Sequence, residues 1–248
     1  MINDVTTEDM GADVELTAAV ASRAGVLAVK STGWFRSPTA DRFVADRSSE
    51  SLAARLIADL TKGFPCSRRR AGCLGEIGIT GTRPTNAEEH VLDATAEAAR
   101  ATGAGVVLHT DGARNATATV DALTRRGVPA ERIQAGHARA SDPLQAQLEL
   151  TQRGCLIAFD QIGHPRRDPP AAAAARIAEL AEANAGEQIA VSADLGRRSR
   201  LTAFGGSGYA PALCDLLRML VAEGLPEALI ASVRGGAAAR FLAMPVGS

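Results

Sequence analysis

Four short apolar runs each carry a residue able to bind a divalent metal. Glu76 lies in Cys73-Leu-Gly-Glu-Ile-Gly-Ile-Thr80, and His109 closes Gly105-Val-Val-Leu-His109. His137 closes Ile133-Gln-Ala-Gly-His137, and Asp194 closes Ile189-Ala-Val-Ser-Ala-Asp194. Two imidazoles and two carboxylates, with no thiol among them, are hard or borderline donors of the kind zinc accepts. Taken singly, each has a plainer reading. A strand-end histidine is more often structural, a glutamate there pairs with a nearby arginine, and an aspartate caps the next segment. Four such residues on four separate runs predict a metal-dependent hydrolase site. In such a site a cation acidifies water and polarises the bond under attack, while a carboxylate accepts the proton.

Residues this far apart in sequence meet only if the chain brings its strand ends together. Seven short apolar runs recur, each followed by a helical pattern. They are Ile2 to Thr6, Val26 to Ser31, the Glu76 run, the His109 run, the His137 run, Cys155 to Phe159, and Ile189 to Ser192. Helices are expected over Ala12 to Ala24, Ser49 to Lys62, Glu88 to Thr102 with Asn86 as cap, and Ala116 to Arg126. Asp142 is expected to cap a helix that has Pro143 at its first position and runs to Arg153, another spans Ala171 to Asn184, and two more, Ala210 to Glu223 and Pro226 to Leu242, close the chain. Residues 36 to 48 read as a loop. Alternation of this kind without a composition break implies a single domain over residues 1–248 with a parallel sheet. The chain lacks the glycine-rich phosphate turn that a doubly wound fold would place after an early strand. A β/α barrel instead gathers all strand ends on one face, so Glu76, His109, His137 and Asp194 would converge there.

Composition narrows the function classes. A net charge of -1 gives no footprint for nucleic acid or an acidic membrane surface, and 3% aromatics provide no base-stacking platform. The four cysteines, Cys66, Cys73, Cys155 and Cys214, have no C-x-x-C spacing, the two that open expected strands, Cys73 and Cys155, read as small apolar residues, and a reducing compartment is expected. The N-terminus has no basic segment leading into an apolar one, and no apolar run reaches membrane-spanning length. A cytoplasmic protein is expected.

In its motifs the chain resembles the phosphotriesterase family of the amidohydrolase superfamily. The resemblance runs through Asp4-Val-Thr-Thr, Thr32-Gly-Trp-Phe35, Gly75-Glu-Ile-Gly78, His109-Thr110, Gly136-His137, Phe159-Asp-Gln-Ile-Gly163, Ser192-Ala-Asp194 and Gly205-Gly-Ser-Gly-Tyr209. It implies a (β/α)8 TIM barrel of the metal-dependent hydrolase type with two divalent metals, usually Zn2+. Glu76 matches the bridging carboxylate, and His109 and His137 match the ligands of one metal. Asp194 matches the ligand of the other metal and the group that handles the proton of the attacking hydroxide. Trp34 and Phe35 match an aromatic pair at the pocket wall, for which core packing is the plainer reading. Arg197, with Arg198 and Arg200 beside it, is placed to hold a polar or anionic substrate or else to be solvated. The expected activity is hydrolysis of a lactone or carboxylic ester, with organophosphate triesters as a secondary class.

The chain departs from the family in the H-x-H pair of the family's opening strand, which it lacks. Its first run matches the family's second strand, so seven of eight strands are expected, with a truncated barrel at the N-terminus. A family homologue in this form would bind two metals only with help, and otherwise one or none. The alternative expectation is therefore a non-enzyme that binds at most one ion. A seven-stranded barrel would also leave two sheet edges unpaired, which favours a homo-oligomer.

Overall fold

The computed structural model describes residues 1–65, 67–164 and 166–244. Cys66 and Pro165 lie outside the described residues. Among the described residues seven strands occur, in the order in which they are met along the chain. They are β1 (Ile2–Asp4), β2 (Ala28–Thr32), β3 (Cys73–Gly78), β4 (Val106–His109), β5 (Ile133–Ala135), β6 (Leu156–Phe159) and β7 (Ile189–Val191). The pairings of β1 with β2, β2 with β3, β3 with β4 and β6 with β7 are all parallel. Parallel neighbours in sequential order, each joined through a helical crossover, are the β/α barrel arrangement with one strand fewer than eight.

The helices are α1 (Val14–Ala24), α2 (Asp41–Val44), α3 (Ser49–Thr61), α4 (Asn86–Thr102), α5 (Ala116–Thr124), α6 (Leu144–Gln152), α7 (Pro170–Glu182), α8 (Leu216–Ala222), α9 (Glu227–Ala231) and α10 (Ala237–Leu242). The chain divides into two compact units, one of Met1–Thr110, Ala118–Gln134 and the residues from Leu242 on, the other of Asp111–Thr117 and Ala135–Phe241.

In the first unit, β1 and β2 are joined by Lys30, whose ammonium pairs with Asp4 at 3.3 Å. Burial holds the Lys30 pKa below its ordinary value, against the pull of Asp4. Next to them Cys73 is fully buried, and burial pushes its thiol up to about 12, so it packs as an apolar residue and not as a thiolate. Helix α3 turns Leu52, Leu56 and Leu60 inward at helical spacing, and they are among the largest fully buried side chains.

Local signals corrected three expectations. Thr85, not Asn86, caps α4, because Thr85 and Glu88 form a capping box in which each side chain takes the other's backbone N–H. Thr85→Ala should therefore cost about 1 kcal/mol in chemical denaturation. Asp142 does not cap α6; its carboxylate takes the Arg139 N–H at 2.9 Å, and the helix begins at Leu144 after Pro143. The loop at 36 to 48 contains the short helix α2. The closing helices are each broken by π segments, at Pro211–Asp215 and Ser232–Gly236.

No helix among the described residues is long and apolar enough to cross a membrane.

Candidate metal centre

Glu76 reaches its position through an irregularity in β3. The register against β4 shifts between Leu74 and Ile77, so the simple alternation of faces is interrupted at Gly75 and Glu76. Gly75 sits at φ 111°, and a Cβ there would come within 2.2 Å of the Val107 carbonyl oxygen. A Cβ on Gly78 would come within 2.6 Å of the His109 carbonyl oxygen. Only glycine at these two places lets β3 lie this close to β4, and the outcome is a short Glu76–His109 separation. Their Oε1 and Nδ1 atoms are 3.3 Å apart, with both side chains about four-fifths buried.

That spacing fits a metal. Two ligand atoms each at zinc–nitrogen or zinc–oxygen distance from one tetrahedral ion are about 3.4 Å apart. Phe35 closes one side of His109, with the rings edge-to-face at 4.6 Å between centroids. The Phe35 backbone N–H is itself held by both oxygens of the buried Asp9 at 3.1 and 3.2 Å. Trp34, beside it in the chain, is 1% exposed and packs in the core with its indole nitrogen unpartnered among the described residues.

In the second unit His137 and Asp194 share an unusual backbone. Both adopt positive φ, 59° and 43°, in the left-handed region that non-glycine residues seldom occupy. For His137 the holding group is Asp160, directly after β6. The Asp160 carboxylate accepts from the His137 backbone N–H at 3.0 and 3.1 Å and lies 2.8 Å from Nδ1. A carboxylate only accepts, so the ring proton sits on Nδ1 and the Nε2 lone pair is left for a metal. For Asp194 the holding groups are Gln161 and Arg200. The Gln161 amide donates to Oδ2 at 2.9 Å, and the buried Arg200 guanidinium donates to the Asp194 and Ala193 carbonyl oxygens. The Arg200 nitrogen nearest Oδ2 is 3.8 Å away.

Glu76, His109 and His137 make a group of one carboxylate and two imidazoles able to hold a metal ion. Asp194 is not among that group. Arg197 is exposed on the loop after β7, apart from the buried Arg200. Asp160, which the sequence shows only as the residue after the Cys155 to Phe159 run, is the support of His137.

The sequence profile of the phosphotriesterase family matches residues 1–240. The chain belongs to the phosphotriesterase family. Among its relatives in that family is the phosphotriesterase homology protein of Escherichia coli, 28% identical over 91% of this chain and 77% of its own length. A crystal structure of that protein with phosphate in its active site superimposes with a TM-score of 0.91 over 97% of this chain, at 26% identity. An N-acetyltaurine hydrolase of Dictyostelium discoideum is 25% identical over 87% of this chain and 61% of its own length. A lactonase from Listeria monocytogenes shares the fold, with a TM-score of 0.90 and 22% identity over 98% of this chain and 80% of the lactonase. The chain therefore has a phosphotriesterase-family hydrolase fold and a His/Glu group suited to a metal.

Asp160→Ala should weaken any divalent-metal binding at this group by roughly 10–100-fold, the usual effect of losing a ligand's supporting carboxylate, as read by competition with a chromophoric chelator.

Proposed function

We propose that the protein is a cytoplasmic metal-dependent hydrolase of lactones and carboxylic esters, with organophosphate triesters as a secondary class, working as one domain over residues 1–248. The ligands proposed are Glu76, His109 and His137, with Zn2+ as the ion because two imidazoles and a carboxylate suit it. The observation that carries the reading is the Glu76–His109 pair, 3.3 Å apart on adjacent strand ends, where the spacing suits a shared ion.

When bound, the metal supplies Lewis acidity toward the substrate carbonyl and lowers the pKa of water. The chain's own residues do the rest. Asp160 keeps His137 in one tautomer and orientation. Asp194 is proposed as a further metal ligand and as the proton acceptor, oriented by the Gln161 amide and held through its backbone by Arg200. Phe35 is proposed to wall the substrate where it meets His109, backed by Trp34 in the core, and Arg197 to reach the substrate from the loop after β7.

The N-acetyltaurine hydrolase relative acts on an amide, so an N-acyl amide belongs in the substrate panel beside lactones and esters. The test is hydrolysis of such a panel by zinc-loaded protein. Metal-dependent turnover of an ester or lactone, lost in Asp194→Asn, is expected. No turnover of any member by metal-loaded protein would contradict the enzyme reading.

One observation favours a second reading, a non-enzymatic homologue holding a single ion. The Asp194 carboxylate already accepts from Gln161 and lies beside Arg200, which compete with a metal for its charge. Metal binding with no hydrolysis would select it.

A further inference from the structure

We propose that Asp9 is a positioning residue for His109, acting through Phe35. The inference rests on the reading of Glu76, His109 and His137 as a metal centre, and it adds a residue outside that group. Asp9, Phe35, Gly78 and His109 all lie in the first unit.

Asp9 stands in a single 3-10 turn, Glu8–Met10, between β1 and α1. Thr7 fixes this turn, its carbonyl accepting from the Met10 and Ala12 N–H groups at 3.0 and 3.1 Å. Asp9 is 6% exposed, yet its carboxylate accepts from a single group among the described residues, the Phe35 N–H. A carboxylate has about four acceptor sites, and one shared N–H offsets little of the cost of burying the charge. As a means of stabilising the fold this is poor. As a means of fixing one peptide it is specific, because both oxygens converge on the same N–H.

The Phe35 peptide is held from its other side as well. Its carbonyl accepts from the Gly78 N–H at 2.9 Å, and Gly78 lies two residues beyond Glu76 on β3. Just before Phe35, the Thr32 hydroxyl donates to Asp59 of α3 at 2.7 Å, and a Cβ on Gly33 would come within 3.3 Å of the Gly75 nitrogen. The end of β2 is thereby pressed against the irregular part of β3, and Asp9 closes this clamp from the segment after β1. With its backbone fixed on both sides, Phe35 has only its side-chain torsions left. Its ring meets His109 edge-to-face at 4.6 Å, and the Arg36 guanidinium lies 5.3 Å from the ring centroid. An imidazole walled in this way has fewer ring orientations open to it, which fixes where its nitrogens point. A supporting partner usually does this to a metal ligand through a hydrogen bond, and here packing does it.

The test is NMR of the histidine rings in chelator-treated protein, where four histidines give few signals and His109 is assigned by their loss in His109→Gln. Wild type is compared with Asp9→Ala, Asp9→Asn, Phe35→Leu and the double variant Asp9→Ala/Phe35→Leu. In Asp9→Ala the His109 signals should move while those of His90 and His164 stay. Asp9→Asn keeps an acceptor oxygen and should remain close to wild type. In the Phe35→Leu background, Asp9→Ala should move His109 no further, because the route runs through the aromatic ring. Zinc affinity by chelator competition should follow the same order, falling about tenfold in Asp9→Ala. Unmoved His109 signals in Asp9→Ala, equal movement in Asp9→Asn, or a full further shift in the double variant would overturn the role of Asp9. So would an Asp9→Ala affinity equal to that of a zinc-binding wild type. His109 signals that follow the expected pattern in a wild type that takes up no zinc would uphold the coupling and remove the metal-centre reading instead. Circular dichroism monitors the fold, and Asp9→Ser replaces Asp9→Ala in every comparison should the alanine variant misfold.

Discussion

Glu76→Ala is expected to reduce metal-dependent hydrolysis on the order of 10³-fold, equivalent to several kcal/mol of lost Lewis-acid stabilisation. The reason is local. Glu76 sits where β3 shifts register, with glycine on both sides of the shift, and its carboxylate oxygen lies 3.3 Å from His109 Nδ1. Removing it takes away one of the proposed ligands and the negative charge that favours a cation there. Glu76→Gln keeps the shape and removes the charge, so it should fall nearly as far. Steady-state rates with saturating zinc, set beside melting curves, read this effect. Full activity in both variants with an unchanged metal requirement would remove Glu76 from the site.

A second large effect is expected on stability, at Glu88. This carboxylate is 1% exposed, yet no lysine or arginine pairs with it among the described ion pairs. It is satisfied by hydrogen bonds alone. Oε1 accepts from the Ser37 N–H at 3.1 Å, the Thr80 N–H at 2.9 Å and the Thr80 hydroxyl at 2.6 Å, while Oε2 accepts from the Thr85 N–H at 2.9 Å. Glu88 thereby ties together the loop after β2, the loop after β3 and the start of α4. Deleting it leaves the N–H of the buried Ser37 without its acceptor, at a cost of about 1–3 kcal/mol, and breaks the bonds to the exposed Thr80 and Thr85 as well, so Glu88→Ala should lose about 2–3 kcal/mol in urea unfolding. Glu88→Gln keeps most acceptor contacts and should lose less. Equal and small losses in both would show that the loops hold without it. Because Thr80 lies just beyond β3, the same variant should also weaken zinc binding.

How much of this could be read from sequence differs from residue to residue. The seven strands and their helical crossovers are legible because apolar runs of strand length alternate with helical periodicity, and the family match over residues 1–240 agrees. Glu76, His109, His137 and Asp194 stood out because each belongs to such a run. Asp160 follows a run too, but a lone aspartate after a strand has the type of a turn residue. Its link to His137 spans 23 positions and becomes visible only in three dimensions.

Glu88 read as an ordinary first-turn acid of a helix. Thr85-x-x-Glu88 has the form of a capping box, and Asn86 competes with it as an equally good cap by type. Three arginines lie close together after β7, and composition does not distinguish them. Burial does, placing Arg200 inside against two carbonyl oxygens and leaving Arg197 and Arg198 exposed. The register shift in β3 has no sequence signature beyond two glycines around Glu76, and its cause is the close approach of β4. Helix α2 is too short to show a periodicity at all.

The most direct measurement is the zinc content of the protein after chelator stripping, reloading and exhaustive dialysis, for wild type beside Glu76→Ala and His109→Ala. At least one firmly held ion per wild-type chain, and its loss from both variants while they remain folded, is the predicted result. Wild type holding none, or all three holding the same amount, would contradict a metal centre at Glu76, His109 and His137.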